Sequence, residues 1–300
     1  MDPFLEAGMS LTPLDGGWSG ETFLADAGGE RTVVRIYADP RHPEHAAEIT
    51  ASLLRLVRGL LPVPQVREVR RADSVGGTPA LLVTELLPGV RGDLLLPTLD
   101  GTGLRRTGAA VGEIAARLAG MPTLRAGMFV DGDLTIEPFD ADLQAWVDRN
   151  RSALATHGWT DADLTRLAAL ADRAQATLDT VVRTSLVHSD LNPKNLLLDP
   201  GTLAVTGVLD WEFAHSGHPF TDLGNLLRFD RHPDYVAGVL AAWTSRHGTP
   251  DDEALDLARA ADLVALVDLA ARSGTNPVAT AAATLLHAIV DADDWHAAPD

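Results

Sequence analysis

Cysteine is absent from the 300 residues, which removes disulfides, thiolate metal sites and cysteine nucleophiles together. Lysine is nearly absent too. Lys194 is the sole lysine among 24 basic residues, so chemistry that needs an amine has one place to look. Basic charge is in deficit overall, 24 residues against 42 acidic ones for a formal charge of −18, and a field of that sign repels phosphate backbones and anionic lipid headgroups. Nucleic acid and membrane surfaces are therefore poor partners. No run approaches the roughly 20 apolar residues of a membrane span, and the opening MDPFLEAGMS has no basic stretch leading into an apolar one, so the expected location is the cytoplasm. Aromatic residues reach only 5%, which leaves few side chains to cage a quaternary amine.

What is present is the composition of a folded chain, 46% hydrophobic and 22% charged, at a length that favours about two domains over one core. From Leu11 to Tyr37 the text alternates as short strands around the AGGE turn. Glu44 to Leu60 then carries Ile49, Leu53, Leu56, Val57 and Leu60 at helical spacing, stopped by Pro62 and Pro64. Two more strands, PQVREVRRAD and TPALLVTELL, complete a small antiparallel sheet with one helix. Beyond Pro88-Gly89 the patterning is mainly helical, except at Thr184 to Asp210, where SLVH, NLLL and LAVTGVLD read as strands and DPGT as a hairpin turn. Strands followed by helices predict an α+β, two-lobed architecture, with lobes at 1–87 and 88–300 and a hinge near 84–92.

The chemistry concentrates in that exceptional segment. Residues 188–195 read HSDLNPKN, and Asp210 follows in VLDWEF. Pro193 prevents a regular helix and Asp210 ends the second arm of the predicted hairpin, so Asp190, Asn195 and Asp210 can converge at its open end. A calcium loop starting at Asp190 fails, since its sixth position is Asn195 rather than Gly and its twelfth is Gly201 rather than Glu. A capped polar turn is the plain alternative.

With His188, Asp190, Leu191 and Asn195 in the pattern H-x-D-L-x-x-x-N, then an apolar hairpin and a second aspartate, the sequence resembles the aminoglycoside phosphotransferase and choline kinase branch of the protein-kinase-like fold. The Asp-Trp of LDWEFA and the later TDLGNLL favour the small-molecule branch. The resemblance implies Asp190 as catalytic aspartate, Asn195 and Asp210 as Mg2+ ligands, Asp222 as a structural carboxylate near the loop, and His188 as a histidine that braces it. Glu212 is open between a second metal, the substrate and plain exposure. His215 and His218 with Asp222 could mimic a metal cluster, but a loop after the metal strand is the simpler reading.

The first lobe is then expected to hold ATP. Gly17 and Ser19 lie in the Gly-rich stretch Asp15 to Gly20, where backbone amides can approach phosphate, although a plain hairpin turn explains the string equally well. Arg35, in VVRI, stands where the kinase pattern V-A-I-K has its lysine; it keeps the charge with a wider, forked head. Glu48 on the following helix is expected to pair with Arg35, with Glu44 as competitor and a solvated face as the plain alternative. Thr84, Glu85 and Leu86 resemble the hinge whose backbone reads the adenine edge.

The implied reaction is ATP- and Mg2+-dependent transfer of the γ-phosphate to a hydroxyl of a small molecule. Residues 231–300 hold 11 acidic and 4 basic side chains, a surface that attracts cations, so a cationic antibiotic of aminoglycoside or basic peptide type is the leading acceptor and resistance the expected consequence. A metabolic sugar, choline or amino-alcohol kinase and an inactive nucleotide-binding scaffold are the alternatives.

Overall fold

The computed structural model describes residues 10–14, 22–73 and 76–299. Packing groups them into two compact units. One takes residues through 98 together with 128–137 and 193–214; the other takes 99–127, 138–192 and 215 onward.

The first unit is built on a five-stranded antiparallel sheet in the order β1-β2-β3-β5-β4, with β1 at Ser10–Pro13, β2 at Thr22–Ala27, β3 at Glu30–Tyr37, β4 at Val66–Arg70 and β5 at Ala80–Glu85. Strand alternation gives the sheet two unlike faces. Ala25, Val34 and Val83 form an apolar cluster with Ile36 and Leu81 against it. Arg35 and Tyr37 point the other way, and the Arg35 guanidinium lies 5.2 Å from the Tyr37 ring centroid. Helix α1 (Ala46–Val57) buries Ala47, Leu53, Leu54 and Val57, and packs on β4, β5 and the 3-10 turn at 211–213. The hairpin loop 128–137 closes over α1, where Ser52 Oγ donates to Gly132 O at 2.6 Å.

Packing does not follow a single cut after residue 87. Strand β6 (Val90–Arg91) pairs with a later strand, Leu197 opposite Arg91, and is followed by the single turn α2 (Gly92–Leu95). Thr206 Oγ1 donates to Pro88 O at 2.6 Å and Val208 N to Pro62 O at 2.8 Å. These bonds tie the 193–214 segment to the sheet unit, a long-range pairing that local sequence does not announce.

The second unit is helical: α3 (Gly101–Ala119), α4 (Leu143–Thr156), α5 (Asp161–Leu178), α6 (Thr221–Leu227), α7 (Pro233–His247), α8 (Asp251–Ala270) and α9 (Pro277–Ala292). Helix starts carry the chemistry that ends fraying: Thr160 and Asp163 form a capping box at α5, and Asn276 caps α9 ahead of Pro277. Helix α8 is the central element, in contact with α4, α5, α6, α7 and α9. It is enclosed on most sides, burying Leu257, Leu263, Leu266 and Val267. Helices α3 and α7 meet through glycine: a Cβ on Gly112 would lie 2.6 Å from Val239 O.

The expected α+β class and the first sheet are the observed ones, and the later chain is mainly helical as its patterning predicts. Short strands β7 (Pro122–Thr123), β8 (Gly127–Phe129) and β9 (Ile136–Pro138) and the seven-residue helix α6 were not anticipated, because elements this short carry too little periodicity. The strand run at 184–210 also divides. Strand β10 (Thr184–Val187) pairs with β7 and with β13 (His215–Gly217), whereas β11 (Leu196–Leu198) and β12 (Val205–Val208) form the hairpin that joins β6.

Candidate active site

Within the first unit, the β11–β12 hairpin positions the expected metal ligands. Its turn is made by Asp199, whose Oδ1 accepts from Gly201 N at 3.0 Å and Thr202 N at 2.7 Å. At the opposite, open end Leu209 N donates to Asn195 O at 2.9 Å, extending the register that sets Leu196 against Val208. Asn195 and Asp210 therefore stand at the two facing strand ends. Asn195 is buried, and Asp210 takes φ 64°, ψ 66°, a left-handed conformation that costs energy in a residue with a Cβ. Trp211 is buried beside it, its indole N–H donating to Val208 O at 3.1 Å.

Arg35 reaches this end of the hairpin from β3. Its Nη1 donates to Asp210 Oδ1 at 2.8 Å, and its Nη2 pairs with Glu212. One guanidinium fork thus holds both carboxylates of the D-W-E string. Burial works against the charge of Arg35, but Asp210 and Glu212 outweigh it and hold its pKa above the ordinary arginine range. The Arg35 Nε is buried with no hydrogen-bond partner among the described residues.

The expected Arg35–Glu48 pair is not formed here. Glu48 Oε1 pairs with Arg71 Nε at 3.1 Å and lies 3.5 Å from His45 Nδ1, while its Oε2 is buried without a partner among the described residues. The physical reason is competition: two carboxylates on the hairpin meet the forked head of Arg35, and Glu48 has Arg71 on its own side. Gly17 and Ser19 lie outside the described residues. Thr84 is buried in β5, its backbone paired with Val33 and Val66; Glu85 N donates to Gln65 O at 2.9 Å, and Leu86 follows the strand half-buried.

Within the second unit, the loop that carries Asp190 hangs on a buried carboxylate. Asp222, at the start of α6, accepts from His188 N and Ser189 N, both at 2.8 Å. Burial is the main influence on Asp222 and pushes its pKa up, against the pull of His188 and these two N–H donors. His188 is wholly buried, and its Nδ1 accepts from Asp190 N at 3.3 Å. Asn192 Nδ2 donates to Asp190 Oδ1 at 2.6 Å, fixing the carboxylate's rotamer. Ser189 at φ 68° and Asp210 are two of five non-glycine residues with positive φ among those described, and both belong to the motif.

Arg228, which follows α6, was not singled out from sequence. Its Nε donates to both Asp262 oxygens at 3.1 and 2.9 Å and its Nη2 to Oδ1 at 2.6 Å, with 6% and 4% of the two side chains exposed. Asn225 Nδ2 adds a bond to Asp262 at 3.1 Å. Burial opposes the charge of Arg228, and Asp262 first and Asp190 second restore it, so its pKa stands above the usual range. Asp262 sits inside the string ADLVALVDLA, where an acid reads as the polar side of a helix.

His218 donates through Nε2 to Leu178 O and does not join Asp222 and His215 in a metal cluster; among the described residues no three His, Asp or Glu side chains gather in that way. No helix among them is long and apolar enough to cross a membrane.

A kinase-like α+β fold with this loop and hairpin defines a class of phosphate-transferring enzymes. The chain belongs to the phosphotransferase enzyme family, whose sequence model matches residues 10–285, and acts on hydroxyl groups of small molecules. It is 32% identical over 225 residues to the aminoglycoside 3'-phosphotransferase of Streptomyces fradiae, an alignment that covers 73% of this chain and 75% of the relative. A solved aminoglycoside phosphotransferase in ternary complex with ADP and hygromycin B superposes with a TM-score of 0.69 at 20% identity, covering 96% of each chain. A microcompartment-associated aminopropanol kinase superposes at 0.61, with 20% identity and 97% coverage of each chain. At such identity the two solved structures bear on the fold alone.

Proposed function

We propose that this protein transfers the γ-phosphate of Mg2+-ATP to a hydroxyl of a small molecule, with Asp190 as the group that orients the acceptor hydroxyl and takes its proton. The observation that carries the reading is the anchoring of the Asp190 loop by Asp222. A phosphotransferase mainly positions its reactants, and here two backbone N–H bonds, the His188 contact and the Asn192 amide together immobilise one carboxylate.

The donor set at the hairpin end fits a hard dication. Asp210 offers a carboxylate oxygen outside its bond to Arg35, Asn195 offers an amide oxygen, and neither is a soft ligand. Magnesium bound there would neutralise phosphate charge. Arg35 would release Asp210 to that role while Glu212 keeps its other nitrogen, and the freed N–H groups would face phosphate oxygens. Thr84, Glu85 and Leu86 remain the proposed adenine-facing segment, and Gly17 and Ser19 the proposed phosphate loop.

The S. fradiae relative makes aminoglycosides the first acceptors to try, and inactivation of such a drug would follow from adding a dianion where it had a hydroxyl donor. A metabolic acceptor is the second reading, and an acidic one would suit Arg231 and Arg259, which share His296 O in the second unit.

The test is ADP release by purified protein with Mg2+-ATP and an acceptor panel of aminoglycosides, amino alcohols and hydroxy acids. Asp190→Asn should lower turnover by roughly 10²-fold or more while ATP still binds. EDTA should abolish activity and added Mg2+ restore it. Tight binding of Mg2+-ATP with no turnover on any acceptor would instead make the chain a nucleotide-binding scaffold.

A further inference from the structure

Three residues beyond Arg228, a second arginine meets a third. Arg231 Nε donates to Arg228 O at 3.0 Å, and its Nη1 donates to His296 O at 3.1 Å and Ala297 O at 2.7 Å. Arg259, from α8, donates through Nη1 to the same His296 O at 2.6 Å, and its Nε is buried with no partner among the described residues. Among the described residues neither guanidinium pairs with a carboxylate. Asp262 and Asp294 are near enough for Arg259 to feel them, and Asp262 for Arg231, but neither acid hydrogen-bonds either arginine.

This arrangement is costly in a chain with 42 acidic residues and only 24 basic ones. Two cations are partly desolvated and face one neutral carbonyl, which satisfies hydrogen bonds but compensates no charge. Burial first, then the charge of Arg231, brings the Arg259 pKa down to about 10, and burial lowers that of Arg231. Fastening residues 296–297 to α8 explains one arginine. It does not explain two that repel each other, nor an Nε enclosed without an acceptor. Arg231 also holds the backbone of Arg228, whose side chain feels the charge of Asp190.

We propose that Arg231 and Arg259 form a subsite for an acidic group, a carboxylate carried by the hydroxyl acceptor, whose oxygens replace the carbonyls of His296 and Ala297. Two guanidinium groups converging on one point match the paired oxygens of a carboxylate, whereas the same two charges repel a polycationic acceptor. The acceptor class is then a hydroxy acid or a larger molecule bearing a free carboxylate. This assignment of the ligand as acceptor rests on the phosphotransfer reading; the anion subsite itself does not.

The experiment has a binding arm and a turnover arm, both on the full chain. Calorimetric titration with malonate, and with malonamide as its uncharged counterpart, should show binding of malonate only. Arg231→Gln and Arg259→Gln should each weaken it about tenfold, and Arg259→Lys, which keeps the charge, should recover part of the loss. With Mg2+-ATP, hydroxy acids should be used at least about tenfold better in kcat/KM than their amides, the difference residing in KM and vanishing in Arg231→Gln. Equal binding of malonate and malonamide, unchanged malonate affinity in both Gln variants, or equal use of acids and amides would overturn the subsite and leave the arginines as anchors of residues 296–297. Malonate binding as expected with no acceptor phosphorylated would uphold the subsite and reject the phosphotransfer reading.

Discussion

Arg35 donates to Asp210 at 2.8 Å across 175 positions of sequence, and the same guanidinium holds Glu212. A strand residue is thereby tied to the far end of a hairpin that local patterning treats as a separate element. The tie is charged and mostly out of solvent, with 15% of the Arg35 side chain and 34% of Asp210 exposed. Removing the arginine leaves two neighbouring carboxylates without compensation. Arg35→Ala should therefore cost about 1–3 kcal/mol in urea denaturation and raise the KM for ATP by roughly tenfold or more. Arg35→Lys should recover less than half of either loss, because a single ammonium cannot fork between Asp210 and Glu212. Full recovery by lysine would mean that charge alone matters.

Asp222 spends both oxygens on backbone N–H groups, so its replacement is tested at the Asp190 loop and not at itself. In Asp222→Asn one oxygen becomes an N–H2 donor facing another donor, inside a fully buried site. Expected are a loss of about 2–4 kcal/mol in stability and a fall in kcat of roughly 10²-fold, with the KM for ATP within twofold of the parent. A variant with reduced stability but unaltered kcat would show that Asp222 serves the fold alone.

How far the sequence could be read follows from which interactions are local. The mainly helical character of the later chain was legible, from apolar periodicity and from caps such as those of α5 and α9. The spacing of Asp190, Asn195 and Asp210 was legible because the hairpin between the last two is short and its Asp199 turn is visible. Partner choice was not. Glu48 was expected on Arg35, but ion pairing is decided by which carboxylate the tertiary fold brings nearest, and Arg71 took Glu48. The Arg228–Asp262 pair was hidden for a related reason. An acid in an amphipathic-looking helix reads as its solvent face until the opposing arginine is placed.

Close approach of α3 and α7 makes a further prediction about the second unit. A Cβ on Gly238 would collide with Arg105 O and lie 2.9 Å from Ala109 N, both backbone atoms that cannot swing aside as a side chain could. Gly238→Ala should destabilise by about 3 kcal/mol despite alanine's better helix propensity. Gly248→Ala tests a different mechanism on the same helix. Gly248 ends α7 at φ 74° with open space around it, so the cost there is conformational and nearer 1 kcal/mol. Thermal melts of the two variants should keep that order.

His218 supplies the pH dependence. Its Nε2 donates to Leu178 O and its Nδ1 accepts from Phe220 N at 3.4 Å, so the fold uses the neutral ring in one tautomer. Burial is the largest influence and brings its pKa down to about 4, with Arg183 adding to the decrease and the Leu178 bond opposing it. A histidine depressed in the folded state contributes stability that is complete above its unfolded pKa, near 6.5, and is lost as pH falls from there toward 4. The loss should reach about 3 kcal/mol and be accompanied by uptake of about one proton on unfolding. His218→Gln retains a donor and an acceptor without the titration, so urea midpoints measured from pH 7 to pH 4 should fall less steeply in the variant than in the parent. Equal slopes would assign the acid sensitivity to other groups.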